Sequence, residues 1–214
     1  MTGVWPWLAA LPIAYLLGAI PVGVIVGRIF QGIDVRAYGS GGTGATNVAR
    51  TAGFRIAGLV LALDIGKGIL AVGIARALGD STIIEALAAS FVVAGHSWPV
   101  FIGFRGGKGV ATGLGALGLI SPYAATATIV APIVAGVTRY VSLGSLLGTL
   151  SAIIVLMLQL FVFGYADLGY LVFVLFGMLI IVGRHIPNMG RLVRGEEHKF
   201  GARVEVKGAT VGQQ

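Results

Sequence analysis

A glycine-rich stretch from Gly39 to Arg50, GSGGTGATNVAR, holds the densest set of residues in this chain that could do chemistry. Glycine lets the backbone turn sharply and brings its N–H groups close to a ligand. Successive N–H groups in such a loop form a concavity that binds anions, and a helix that begins after the loop adds its positive end. The stretch therefore predicts a phosphate-binding loop. The alternative is a flexible turn between two hydrophobic segments.

A second glycine turn, Gly106-Gly107-Lys108-Gly109, lies in the segment GHSWPVFIGFRGGKGVATG. Backbone N–H groups, the start of a helix and the lysine ammonium can converge there on an anion. The spacing is not that of a P-loop and no strand precedes it, which argues against a nucleotide-binding fold. His96, about three turns earlier, is either a site residue or a polar residue bonded to a neighbouring helix.

Two further polar stretches could contribute to the same site. Ser142 and Ser145 follow Arg139 in a predicted turn, where hydroxyls either cap a helix or contact a ligand. The segment RHIPNMGRLVRGEEHKF brings His185 and Asn188, which could donate to a phosphate. Its alternative interpretation is a basic tail that touches anionic lipid.

The composition places all these residues in a membrane protein. The 214 residues are 57% hydrophobic and 11% charged, whereas a soluble domain carries roughly 25% charged residues. The absence of cysteine excludes disulfides, thiolate metal sites and cysteine nucleophiles. The three histidines are far apart and show no metal-ligand spacing, so no metal site is predicted.

Apolar segments of about the length that crosses a bilayer predict an all-α polytopic membrane protein with seven transmembrane helices. We expect a single membrane domain, 1–214, with a tail at 185–214. One helix is short, because Ser121-Pro122 divides the apolar region between Gly109 and Arg139 into two arms of a hairpin. One long kinked helix, giving six spans, is the alternative. The predicted spans are about 5–28, 54–78, 81–101, 109–120, 122–138, 146–163 and 168–184.

The charges predict the orientation of these spans. With seven spans, all but two of the 15 Lys and Arg residues fall on the side of the C-terminus; the exceptions are Arg76 and Lys67. Basic residues accumulate on the cytoplasmic side, so we expect the N-terminus outside and the C-terminus in the cytoplasm. All four polar stretches then share the cytoplasmic side. Lys67 lies mid-span, three residues after Asp64, as a structural pair or as part of a buried functional group.

These motifs together resemble those of the bacterial integral-membrane acyl-phosphate:glycerol-3-phosphate acyltransferases, which make lysophosphatidic acid. The matching segments are GSGGTGATNVARTAG, Asp64-x-x-Lys67-Gly68, GHSWPVFIGFRGGKGVATG, the SLGS turn, and RHIPNMGRL with a following GEE-x-K. They occur in the family's order and cover essentially the whole chain. Two residues depart from the pattern: Gly42 stands where the family usually has asparagine, and Arg105 where it usually has lysine.

The resemblance implies transfer of a fatty acyl group from acyl phosphate to the 1-hydroxyl of glycerol 3-phosphate, without a cofactor or metal and without an acyl-enzyme. It implies a bacterial inner-membrane protein in phospholipid biosynthesis, with its site facing the cytoplasm. The partners expected are the two substrates and membrane lipid, without nucleic acid, and the protein is expected to be a monomer. A small-anion transporter or channel is the main alternative, and a structural lipid-binding protein is a third.

Two groups of residues are expected to form the site. Those expected at the acyl phosphate are Ser40, Gly41, Gly42, Gly44, Thr46 and Asn47. Those expected at glycerol 3-phosphate are Arg50, Lys108, Ser142 or Ser145, His185 and Asn188. His96, Gly106 and Gly107 are also expected to bind substrate. Of these, Ser40, Thr46, Asn47, Lys108 and His185 are the expected catalytic residues. The base that takes the hydroxyl proton is His185, His96 or a substrate phosphate oxygen.

Overall fold

A computed structural model describes residues 5–201, with side chains from residue 9 onward. Residues 202–214 of the predicted tail lie outside this part of the chain. Within it, every regular element is helical, as the sequence predicted. The α-helices are α1 Trp5–Ala19, α2 Val22–Gln31, α3 Ala45–Thr51, α4 Phe54–Leu78, α5 Thr82–Ser97, α6 Val110–Ile120, α7 Pro122–Ala127, α8 Val130–Thr138, α9 Val141–Phe161, α10 Leu179–Gly183 and α11 Ile186–Val193.

Four helices or helix pairs are long and apolar enough to cross a bilayer: residues Ala9–Gln31, α4, Thr82–Ile102 and α9. A fifth candidate is Leu168–Gly183 joined to α11 across a 46° bend. It begins with a short 3₁₀ turn and contains a π-helical stretch, Phe173–Met178, before α10. The regions Val110–Ile120 and Pro122–Thr138 are shorter apolar helices.

The first predicted span is broken in the structure. Ile20 and Pro21 separate α1 from α2, because proline supplies no N–H for the helix ladder. This break leaves backbone carbonyls of α1 without helical partners. The carbonyl of Gly18 in α1 is bonded instead by the side chain of Lys67, which also donates to the carbonyl of Ile20 in the break.

The predicted division at Ser121 is present. Ser121 adopts an extended backbone, and its hydroxyl accepts a hydrogen bond from the amide of Ala124 at the start of α7. The region 122–138 continues with a local break at Thr128 and Ile129. A cavity lies between α6 and α7–α8, so the two arms are splayed around it.

The predicted polar turn at 140–145 is wrong. Helix α9 begins at Val141, five residues before the predicted start of this span, so Ser142 and Ser145 lie in its first turns. A loop was predicted because Ser142 and Ser145 lie close together beside Gly144. The hydroxyl of Ser142 has a buried partner in Glu197, and this lets the helix begin earlier. The start of the tail is also helical, since α11 directly follows His185.

Glycines bring the central helices into backbone contact. A Cβ atom on Gly95 of α5 would lie 2.1 Å from the carbonyl oxygen of Tyr15 on α1, and one on Gly115 of α6 would lie 2.0 Å from that of Ile65 on α4. Small residues allow this close approach between membrane helices, where association depends on packing rather than on the hydrophobic effect. The pairs α1–α5 and α4–α6 thereby hold the ends of α5 and α6, which carry the second glycine turn.

Candidate active site

The glycine-rich loop before α3 is organised by one buried side chain, Asn47. Its Nδ2 donates to the carbonyl oxygens of Val35 and Gly42, both at 2.8 Å, and of Tyr38 at 3.2 Å. Its Oδ1 accepts from the amide of Ser40 at 2.9 Å and from the Ser40 hydroxyl at 3.2 Å. The amide of Asn47 is therefore committed to holding the loop in shape.

The loop leaves part of its backbone open to a ligand. The Gly41 amide donates to the carbonyl of Tyr38, but no hydrogen bond within residues 5–201 engages the amides of Gly42, Thr43 or Gly44. A Cβ atom on Gly42 would meet only the Ser40 hydroxyl, at 3.8 Å. The departure at Gly42 thus leaves the loop anchored through Asn47.

Helix α3 carries two of the predicted site residues, Thr46 and Arg50, on one face. Thr46 and Arg50 lie one turn apart and share a helix face. Arg50 donates through Nη2 to the carbonyl of His198 at 3.2 Å, while its buried Nε has no partner in the described part of the chain. Burial lowers the pKa of Arg50, although the neighbouring Glu197 carboxylate opposes that shift.

The second glycine turn is pressed against the end of α5. The amide of Gly107 donates to the carbonyl of His96 at 3.1 Å. A Cβ atom on Gly106 would lie 2.1 Å from that carbonyl oxygen, and one on Gly107 would lie 2.2 Å from Nε2 of His96. Only glycine fits at these two positions, and the close contact with His96 fixes the position of the backbone just before Lys108.

His96 is buried beneath this turn together with a charged pair. Lys67 Nζ lies 2.9 Å from Oδ1 of Asp64 and 2.8 Å from Nδ1 of His96. It also donates to the carbonyls of Gly18, at 3.0 Å, and Ile20, at 3.4 Å. The predicted Asp64–Lys67 pair is confirmed, and it links α4, the break after α1 and the end of α5.

Lys108 lies among several cations. It is half-buried, and no hydrogen bond or ion pair within the described residues engages its ammonium group. Burial lowers its pKa to about 8; the Glu197 carboxylate opposes this shift, while Arg191, Arg50 and Arg184 add to it. An ammonium with one carboxylate and three guanidinium groups in electrostatic reach favours the binding of an anion.

Glu197 accepts hydrogen bonds from three polar side chains, one on α9 and two on α11. Its Oε1 accepts from Ser142 Oγ at 2.9 Å and from Asn188 Nδ2 at 2.7 Å. Its Oε2 accepts from Arg191 Nε at 2.8 Å. Burial alone would raise the pKa of Glu197, but these hydrogen bonds outweigh it and keep the pKa below its ordinary value.

His185 lies at the bend between α10 and α11 and is 1% exposed. Its Nδ1 is 2.8 Å from the carbonyl oxygen of Ile181. A carbonyl only accepts, so Nδ1 carries the proton of the neutral ring and Nε2 keeps its lone pair. His185 is also within electrostatic reach of Lys108 and Glu197.

An apolar cavity of about 610 Å³ adjoins these residues. Val110, two residues after Lys108, lines it, as do Ser145 and Ile181. Ser145 thus faces the cavity, whereas Ser142 bonds to Glu197. The volume is in the ordinary range of small-molecule and cofactor sites.

Comparisons with known proteins identify the family. The family model described as glycerol-3-phosphate acyltransferase matches residues 8–195. The chain belongs to the glycerol-3-phosphate acyltransferase family. A curated member from Anaeromyxobacter dehalogenans (strain 2CP-1), named glycerol-3-phosphate acyltransferase, is 45% identical over 203 residues, which are 90% of this chain and 97% of that protein. Glycerol-3-phosphate acyltransferase 2 from Moorella thermoacetica is 40% identical and covers 92% of this chain and 99% of its own.

Solved structures of the family have the same fold. The crystal structure of PlsY (YgiH), an integral membrane glycerol 3-phosphate acyltransferase, matches with a TM-score of 0.80 and 40% identity in its glycerol 3-phosphate form. That match covers 91% of this chain and 95% of the other. The lysophosphatidic acid form matches with a TM-score of 0.79. The protein is therefore a multi-pass membrane acyltransferase of phospholipid synthesis, which confirms the predicted family and enzyme class.

Sequence reasoning found Lys108, Arg50, His185 and Asn188, and the structure brings them to one place. It missed the central position of Glu197. The pair of carboxylates, Glu196 and Glu197, in the otherwise basic segment RLVRGEEHKF was the available signal. It also left out Arg184, which donates to two carbonyls of the second glycine turn.

Proposed function

We propose that this protein moves a fatty acyl group from acyl phosphate to the 1-hydroxyl of glycerol 3-phosphate, giving lysophosphatidic acid and phosphate. The observation that carries the proposal is the meeting of a cationic pocket with an apolar cavity. Lys108 belongs to the cationic pocket, and Val110, two residues on, lines the cavity. Such a junction suits a reaction between a small phosphate ester and a lipid with a phosphate head group.

The glycerol 3-phosphate pocket consists of Lys108 and Arg50, with His185 beside them. The Lys108 ammonium has no protein partner in the described residues, so it is free to bind the phosphate. Arg50 keeps a buried Nε without an acceptor, and a phosphate oxygen would supply one. Ser142 and Asn188 support this pocket through Glu197, and the Gly106–Gly107 turn with His96 supports Lys108 from below.

The acyl phosphate binds at the first glycine-rich loop. The amides of Gly42, Thr43 and Gly44 are open to its phosphate, and the hydroxyls of Ser40 and Thr46 stand beside them. Asn47 acts as the residue that holds this loop in place. The fatty chain lies in the apolar cavity, past Ser145.

In the reaction, the 1-hydroxyl oxygen of glycerol 3-phosphate attacks the acyl carbonyl carbon, and the bond from that carbon to the phosphate oxygen breaks. Phosphate leaves with the electron pair. The hydroxyl proton passes to Nε2 of His185 or to a substrate phosphate oxygen. Since the donor is already activated, positioning and stabilisation of the developing negative charge account for most of the catalysis.

The proposed activity goes with a particular arrangement of the chain in the membrane. The chain forms one domain with seven membrane helices, in which α6 is short and lodged among the others. The N-terminus lies outside, the C-terminus and the site lie in the cytoplasm, and the membrane is the bacterial inner membrane. The protein acts as a monomer. The concentration of Lys and Arg at the ends of alternate helices supports this orientation.

A direct assay tests the activity. Purified protein in detergent is incubated with acyl phosphate and labelled glycerol 3-phosphate, and labelled lysophosphatidic acid is measured. Lys108→Ala should lower kcat/KM for glycerol 3-phosphate by about 10- to 150-fold, the loss expected when a charge-assisted hydrogen bond of about 1.5–3 kcal/mol is removed. Asn47→Ala should lower turnover as well, because the first glycine-rich loop loses its anchor. Arg55→Ala is the matched control, because Arg55 is exposed and has no partner within residues 5–201. Near wild-type rates for Lys108→Ala, or product only from a different acyl donor, would overturn the proposal.

A further inference from the structure

Arg184 links the end of α10 to the second glycine turn. Its Nε donates to the carbonyl of Gly107 at 3.1 Å, and its Nη2 donates to the carbonyl of Gly106 at 3.4 Å. The guanidinium carbon lies 5.6 Å from the centre of the Trp98 ring, within the range of a cation–π contact. The hydroxyl of Tyr15 in turn donates to the carbonyl of Trp98 at 2.8 Å. The guanidinium is therefore held in place by its aromatic neighbour while it bonds the turn.

Gly106 and Gly107 have no side chains that could fix the shape of the turn. On the side of α5, the Gly107 amide donates to the His96 carbonyl, and both glycines are in close contact with His96. On the other side, the two carbonyls of the turn point to Arg184. The turn is thus clamped between the end of α5 and one guanidinium group.

The contacts on both sides of the turn also orient the peptide group before Lys108. In a trans peptide the C=O and N–H groups point in opposite directions. The peptide between Gly107 and Lys108 has its carbonyl bonded to Arg184, so the Lys108 amide points away from Arg184. No hydrogen bond among the described residues engages that amide.

We propose that Arg184 is a positioning residue for the acyltransfer reaction: its two-pronged hydrogen bonding fixes the Gly106–Gly107 peptides so that the amide and ammonium groups of Lys108 face the substrate phosphate. This inference rests on the proposed role of Lys108 in binding glycerol 3-phosphate. Arg184 acts here through Lys108 and the shape of the turn, and its charge alone is not sufficient. A lysine has a single nitrogen and cannot reproduce the fork that reaches both carbonyls.

A double-mutant cycle tests the coupling. The dissociation constant for glycerol 3-phosphate is measured by calorimetry for the wild type, Arg184→Ala, Lys108→Ala and the double variant. Loss of charge-assisted hydrogen bonds predicts about 10- to 100-fold weaker binding for Arg184→Ala. In the Lys108→Ala background the same change should cause little further loss, because the residue it positions is absent. Equal losses in both backgrounds would overturn the inference.

Chemical rescue distinguishes loss of the two Arg184 hydrogen bonds from loss of its positive charge and from general damage to the fold. Arg184→Ala should recover part of its activity when guanidinium is added at a low, non-denaturing concentration, and not when KCl is added at equal ionic strength. Arg184→Lys should remain impaired in kcat/KM, while Arg55→Ala should match the wild type. Wild-type activity in Arg184→Lys, or no recovery with guanidinium, refutes the inference.

The two proposals fail in distinguishable ways. If Lys108→Ala binds glycerol 3-phosphate as the wild type does, the proposed pocket is wrong. If Lys108→Ala loses binding but Arg184→Ala does not, the pocket stands and only the positioning role is refuted.

Discussion

Glu197→Gln removes one charge from the site while it keeps the size of the side chain. The carboxylate accepts three hydrogen bonds, from Ser142, Asn188 and Arg191. A glutamine presents one oxygen and one NH₂ group in the same places. If its oxygen faces Ser142 and Asn188, its NH₂ faces the Nε donor of Arg191. If it is turned round, its NH₂ faces the Nδ2 donor of Asn188.

Either orientation leaves a buried donor facing another donor. Loss of a hydrogen bond to a charged group costs about 1.5–3 kcal/mol. That range corresponds to roughly a 10- to 150-fold change in an equilibrium constant, at about 1.4 kcal/mol for each factor of ten. We expect Glu197→Gln to lower kcat/KM for glycerol 3-phosphate within that range, because Ser142 and Asn188 no longer hold their places beside the pocket.

The neighbouring residue provides a matched control. Glu196 makes an ion pair with Arg194 at 2.7 Å, but both side chains are 59% exposed. Exposed pairs of this kind contribute about 0–1 kcal/mol. Glu196→Gln should therefore keep kcat/KM within a few-fold of the wild type. The assay is the labelled-product measurement at varied glycerol 3-phosphate, together with thermal unfolding in detergent. Equal behaviour of the two variants would refute the argument that the Glu197 hydrogen bonds organise the site.

The remaining predictions concern the pH profile and two packing contacts. The pKa of Lys108 is lowered to about 8, and its charged form binds phosphate, so kcat/KM should fall as the pH rises through about 8. Because the Glu197 carboxylate raises the pKa of Lys108, this fall in kcat/KM should move to lower pH in Glu197→Gln. A pH profile that does not move in Glu197→Gln would contradict this prediction. Gly107→Ala should lower the unfolding temperature in detergent, at an overpacking cost of about 1–3 kcal/mol, because its Cβ would lie 2.2 Å from His96 Nε2, whereas Gly42→Ala should leave that temperature unchanged. Lys67→Met should destabilise the protein by about 3–5 kcal/mol by leaving a buried carboxylate unpaired; the double variant with Asp64→Asn should recover part of the loss, and equal unfolding temperatures for the single and double variants would exclude this explanation.

The helical part of the fold follows largely from local properties of the chain. The length of an apolar run and the position of proline decide where a membrane helix is possible, because the backbone must bond to itself in lipid. Helix α4 and the division at Ser121 were predicted on this basis, and the structure has both. The break at Pro21 was missed because the carbonyl of Gly18 that it frees is bonded by Lys67, a residue far along the chain.

The start of α9 was misplaced for a related reason. Ser142 reads as a loop residue when only its neighbours in sequence are considered. Its partner is Glu197, which lies 55 residues further on. A polar residue can begin a helix at the edge of a membrane protein when a distant group satisfies it, and a local pattern does not contain that information.

The sequence by itself determined which residues could bind phosphate, because glycine turns, lysine and short polar side chains are chemically suited to anions wherever they occur. It also determined the family, through several motifs in a fixed order. Only the tertiary structure decided how the residues divide the work. It commits Asn47 to the shape of the first loop, buries His96 beneath the second, and leaves the Lys108 ammonium without a hydrogen-bond partner among residues 5–201. These differences arise from hydrogen-bond partners and packing contacts between helices that are far apart in the chain.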